Sequence, residues 1–146
     1  DRSEAALALA EKSAAANGLA ARCRFRRVEA FEELERLGPT GTRFGMVVAD
    51  PPAFVKSKKD LKQGARAYRK LARLAASLVE PEGFLFIASC SHNMPVEEFE
   101  RQVALGLVDA SREGRIMRAA GAAADHPVHP ALPESAYLKS LLLQLD

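Results

Sequence analysis

Phe44-Gly45-Met46-Val47-Val48-Ala49-Asp50-Pro51-Pro52-Ala53-Phe54 is the stretch that decides how this 146-residue chain is read. Its first six residues are an apolar run without polar alternation, and Asp50-Pro51-Pro52 stops it. Such a run, bounded by turn residues, predicts a strand buried on both faces of a parallel sheet. A second run of the same kind, Phe84-Leu85-Phe86-Ile87-Ala88, ends in Ser89-Cys90-Ser91. In open α/β sheets chemistry sits just beyond the carboxyl ends of the strands. The Asp50 carboxylate and the Cys90 thiol are therefore expected at the same sheet edge.

Outward from these two strands the chain alternates. A helix is expected from a capping box at Asp1 and Glu4, with Leu7, Ala10 and Ala14 on one face and a stop at Asn17-Gly18. Cys23 to Val28 reads as a weak strand, with Cys23 in the core. Phe31, Leu34 and Leu37 recur at helical spacing up to Gly38-Pro39. Leu61, Ala65, Tyr68, Ala72, Ala75 and Leu78 mark a long amphipathic helix closed by Pro81-Glu82-Gly83. Val96, Phe99, Val103, Leu107 and Val108 repeat the pattern behind Pro95. Arg115 to Ala119 and Leu138 to Leu145 are the last expected strands, joined by a loop that suits an antiparallel return. The expected fold class is α/β, a mostly parallel sheet ending in an antiparallel hairpin.

Composition narrows the function classes. Apolar residues are 48% and charged residues 27%, as in an ordinary globular domain, and residues 1–146 read as one unit without linker or repeat. No apolar stretch is long enough to cross a bilayer, so no membrane partner is expected. The two cysteines and three histidines show no metal-ligand spacing. No metal is expected, and reduced thiols point to a cytoplasmic setting. Between Lys56 and Arg73 lie eight of the chain's 21 basic residues and only one of its 19 acids. That run is either a solvated helix face or, beside Asp50-Pro51-Pro52, a positive rim for a polyanion such as nucleic acid, offered by Lys58, Lys59 and Lys62. A nucleotide-binding α/β domain normally opens with a strand, a glycine-rich turn and a helix. No such turn occurs here, so the chain reads as a partial domain that binds a nucleotide-type cofactor poorly by itself.

Taken together, these motifs resemble those of the class I S-adenosylmethionine-dependent methyltransferases. Among them, the chain is most similar to the bacterial 23S ribosomal RNA cytosine-5 methyltransferases that carry a PUA domain. The resemblance rests on Asp1-Arg2-Ser3-Glu4-Ala5-Ala6-Leu7, Ala16-Asn17-Gly18-Leu19, Phe44 through Phe54, Pro81-Glu82-Gly83 and Ser89-Cys90-Ser91. It continues in Ala124-Asp125-His126-Pro127, Pro133-Glu134 and Tyr137-Leu138-Lys139. It implies a Rossmann-like fold, S-adenosyl-L-methionine as cofactor and large-subunit ribosomal RNA as partner, with a homodimer left open.

It also implies roles. C5 of a pyrimidine is a poor nucleophile, and addition of a thiolate at C6 makes it reactive. Cys90 is the residue implied for that addition; its other reading is a buried structural cysteine. Asp50 would hydrogen-bond or protonate N3 of the base, held by the rigid Pro51-Pro52. Phe54 would pack against the base or merely cover the sheet edge. Asp1 matches the acid that binds the ribose hydroxyls and is equally a helix cap. Glu29 matches the adenine contact, where the family often has Asp, and is equally a helix-start acid. Ala30 and Phe31 would border the adenine. Asp125 and His126 match a family motif without an assigned step. Ala53 and Phe54 leave no second cysteine in the acid-Pro motif, which places the chain with the single-cysteine branch. Two other readings stand: methylation of an exocyclic amine, which needs an acid-Pro-Pro-aromatic signature but no cysteine, and a non-catalytic RNA-binding domain on a Rossmann-like frame.

Overall fold

The two apolar runs form adjacent strands because each can bury one row of side chains and satisfy its backbone on its neighbour. A computed structural model describes all residues, Asp1–Asp146. Its elements are α1 (Glu4–Ala16), α2 (Ala30–Leu37), β1 (Phe44–Ala49), α3 (Leu61–Ala76), β2 (Val79–Ser89), α4 (Val96–Asp109), β3 (Gly114–Ala120) and β4 (Lys139–Leu145). Short 3-10 turns sit at Ala20–Arg22, Gly38–Thr40, Lys58–Asp60 and Pro133–Ser135. The sheet order is β1-β2-β4-β3. β1 and β2 are parallel, and β4 runs antiparallel to both β2 and β3. Three strands thus share one direction and the last returns against them, as the sequence pattern predicts.

Helices α3 and α4 cover one face. Tyr68, Ala72, Ala75, Phe99 and Val103 meet Leu85, Ile87, Leu141, Leu143 and Leu145 in a single core. The helices cross closely at Gly106, where an added Cβ would lie 2.6 Å from the Ala72 Cβ and 2.7 Å from the Arg69 carbonyl oxygen. Alanine there would gain about 1 kcal/mol in helix propensity. The backbone it meets cannot yield, so overpacking wins. Gly106→Ala is expected to lower stability by about 2 kcal/mol, read as a lower urea midpoint at unchanged slope.

Several expectations need correction. Burial on both faces holds for one face only: Met46, Val48 and Phe84 are exposed, because α2, α3 and α4 all pack on the other side. Cys23 to Val28 forms no strand. The segment bonds to the start of α1 instead: the Val28 N–H donates to the Asp1 carbonyl at 3.0 Å, and the Arg27 guanidinium reaches the Arg2 carbonyl and the Glu4 carboxylate. Cys23 is exposed rather than in the core. An ion pair between Arg26 and Glu33 ties this segment to α2. The cap of α1 is Ser3, whose Oγ accepts from the Ala6 N–H, while Asp1 accepts from the Ser3 N–H at 2.7 Å. Pro81-Glu82-Gly83 does not stop a helix but forms a bulge inside β2, between the pairs Phe44–Val79 and Met46–Phe84, with Glu82 at φ 61°.

Candidate active site

Asp50 follows the last residue of β1 and Cys90 the last residue of β2, so the ladder that pairs Ala49 with Ile87 sets their spacing. The Cys90 Sγ points at the Pro51 carbonyl oxygen, 3.9 Å away. Asp50 is exposed and Cys90 half-buried, so both are within reach of a substrate. Acid loop and thiol meet, as the two sequence motifs predict.

What holds the thiol there is a buried hydroxyl network. Ser89, Ser91 and Tyr68 are each fully buried. The Ser89 Oγ donates to the Tyr68 hydroxyl at 2.8 Å, and the Tyr68 hydroxyl and the Ser91 Oγ share a hydrogen bond at 2.8 Å. The Val55 N–H donates to the Ser91 Oγ at 3.1 Å, which joins the acid loop to the cysteine turn. The Lys139 ammonium donates to the Ser91 carbonyl at 2.8 Å. Gly64 of α3 lets the helix touch this loop, since a Cβ there would lie 2.4 Å from the Val55 Cγ2. The Ser-X-Ser pattern after an apolar strand, and a tyrosine on the inner face of an Ala/Leu-rich helix, are the signals that could have revealed this network.

The acid loop also lines a cavity of about 620 Å³. Asp1, Glu29, Ala30, Phe31 and Asp50 all line it, as do Pro51, Pro52 and Phe54. Cys90 is not among the lining residues, but it contacts the same turn through the Pro51 carbonyl. The Glu29 Oε2 caps α2 by accepting from the Phe31 and Glu32 N–H groups, so the helix-cap reading is right for that oxygen. Phe54 is engaged in an aromatic chain, 5.9 Å from Phe31 and 4.8 Å from Tyr68, and Tyr68 meets Phe99 edge-on at 5.3 Å. Beside the cavity the Arg36 hydrogen bond, with Arg26 adding to it, holds the Glu33 carboxyl below its ordinary range against the opposing effect of burial.

The basic run divides in two. Arg69 pairs with Asp109 and Lys70 with Glu35, so these are structural. Lys58, Lys59, Lys62 and Arg66 are exposed and form no ion pair. His92, although near Cys90 in sequence, is exposed and forms no hydrogen bond with it. His126 packs edge-on against Tyr137 at 5.4 Å, which gives it a place in the loop and no contact with the thiol.

Sheet and helices together form a Rossmann-like α/β fold. Solved structures agree. A protein described as a methyltransferase and crystallised with SAH matches 99% of this chain and 37% of its own, with TM-score 0.77 at 19% identity. TrmN from Thermus thermophilus matches with TM-score 0.64 at 21% identity, over 99% of this chain and 34% of its own.

In sequence the chain is similar to Ribosomal RNA large subunit methyltransferase I. The Tolumonas auensis protein of that name is 39% identical over 145 residues, and that of Aeromonas salmonicida 37% over 145 residues. The alignments cover 99% of this chain but only 36% and 37% of those relatives, so the chain spans a little over a third of their length. No protein-family model matches it.

Proposed function

We propose that this chain carries the reactive half of an enzyme that methylates C5 of cytosine in large-subunit ribosomal RNA in the cytoplasm, with S-adenosyl-L-methionine as donor. One observation carries the proposal: Cys90 and Asp50 leave adjacent parallel strands at the same edge, with the sulfur 3.9 Å from the Pro51 carbonyl. The relatives' names supply the direction toward ribosomal RNA.

The cavity fits the donor in kind. It has room for a nucleoside-sized ligand, carboxylates at Asp1 and Glu29, and apolar walls at Ala30 and Phe31. Asp1 uses one oxygen on the Ser3 N–H and keeps the other for ribose hydroxyls. Glu29 keeps Oε1 in the same way. When bound, the cofactor supplies a methyl group on a positively charged sulfur.

The chain's own residues do the rest. The Cys90 thiolate adds to C6 of cytosine, forming a C–S bond as the C5=C6 electron pair becomes available at C5 and the ring polarises toward N3. Asp50 donates a hydrogen bond or its proton at N3. After C5 has gained its methyl group it loses its proton to a base, and any proton placed on N3 returns to Asp50. The C6–S electron pair then returns to sulfur, and the double bond re-forms. Pro51 and Pro52 keep the Asp50 loop from relaxing away from the base.

Ribosomal RNA with 5-fluorocytosine in place of cytosine tests this. Fluorine cannot leave C5 as a proton does, so protein and RNA should remain covalently joined through Cys90, identifiable by peptide mass. Methyl incorporation without any such adduct would end the proposal. Lys58, Lys59 and Lys62 would contact backbone phosphates beside the site. Replacing all three by glutamine is expected to weaken RNA binding and to reduce the slope of log K against log salt by about 2 to 3, measured by filter binding across a salt series.

A further inference from the structure

Lys139 opens β4, opposite Ser89 in the register, and is only 7% exposed. The buried face of β4 otherwise reads Leu141, Leu143, Leu145, so the ammonium occupies a place in the two-residue period where a leucine would serve packing better. Lysine is almost never buried unless paired. None of the chain's seven ion pairs involves Lys139. Its one hydrogen-bond partner is the carbonyl of Ser91, one residue beyond Cys90, at 2.8 Å. The Tyr68, Ser89 and Ser91 hydroxyls nearby are neutral and bonded to one another.

We propose that Lys139 is a positioning residue for Cys90: its buried ammonium, anchored on the Ser91 carbonyl, is the positive charge against which the sulfur becomes and stays anionic. This rests on Cys90 being the nucleophile. Burial pushes the Lys139 ammonium below its ordinary value, and a charge on Cys90 acts to raise it, so the ammonium lies within electrostatic reach of the residue whose neighbour it is anchored to. In the reaction the Cys90 S–H gives its proton to water and the sulfur keeps the electron pair with which it attacks C6. Lys139 retains its proton throughout and forms no covalent bond.

Alkylation by iodoacetamide tests this without any methyl transfer. Because Cys23 is exposed, the purified protein would carry Cys23→Ser. Lys139→Gln keeps an N–H donor for the Ser91 carbonyl but removes the charge, whereas Lys139→Arg keeps both. Alkylation of Cys90 at neutral pH is expected to slow by about tenfold in the glutamine variant and to recover to within about threefold of the starting rate with arginine. A glutamine variant as reactive as the parent would show that Lys139 only holds a carbonyl, and an arginine variant as slow as glutamine would remove the charge argument; either overturns the proposal. Should the glutamine variant fail to fold, as read by its urea transition, Lys139→Met is measured in its place with the same outcomes. Cys90→Ala assayed for methyl transfer separates the two ideas: activity surviving in that variant defeats the nucleophile, while the alkylation rates still report on Lys139.

Discussion

Cys90→Ala is expected to reduce methyl transfer by about four orders of magnitude or more, because removing a covalent nucleophile leaves only binding and orientation. The fold should barely notice. The side chain is half-buried, and its one polar contact is a long one to the Pro51 carbonyl. A stability change within about 1 kcal/mol is therefore expected. The variant should also lose the adduct with 5-fluorocytosine RNA. Turnover measured with labelled donor and RNA, beside a urea melt on the same sample, separates lost chemistry from lost structure. Unchanged turnover would favour methylation of an exocyclic amine, where no thiol is required and the acid-Pro-Pro-aromatic turn alone binds the base.

Tyr68→Ala should produce the largest loss of stability. The ring is fully buried, meets Phe54 at 4.8 Å and Phe99 at 5.3 Å, and carries the hydroxyl that bonds to both Ser89 and Ser91. Truncating a buried aromatic costs about 3–5 kcal/mol. The serine hydroxyls would also lose a partner out of reach of water, at about 1–3 kcal/mol. Against a typical total of about 5–15 kcal/mol, this leaves a marginal or unfolded domain. Tyr68→Phe isolates the hydroxyl and should cost about 1–3 kcal/mol. Denaturant unfolding of the two variants gives both figures. A near-neutral Tyr68→Ala would mean that the core does not depend on this ring.

The elements legible in the sequence were those whose signal is local. The apolar runs before Asp50 and Ser89 and the 3.6-residue spacing of α3 and α4 depend on near neighbours, and each formed the expected type of element, although α3 ends at Ala76 and β2 already begins at Val79. Cys23 to Val28 shows the limit: strand propensity cannot by itself supply a hydrogen-bonded neighbour, and the segment forms no strand. The same limit governs the site. The placement of Asp50 and Cys90 at one sheet edge was legible because each directly follows a strand. The division of the basic run was not, because Asp109 and Glu35, which neutralise Arg69 and Lys70, come from α4 and α2. Nothing local to Tyr137-Leu138-Lys139 marks the lysine as buried; only the return of β4 beside β2 places its ammonium on Ser91, 48 residues earlier.

Since acid and thiol each hang from the end of a strand in one hydrogen-bonded ladder, no hinge separates them. Gentle warming should therefore leave the catalytic apparatus intact until the sheet itself gives way. Thermal inactivation curves and circular-dichroism melts would then superimpose, with no temperature window of folded but idle protein.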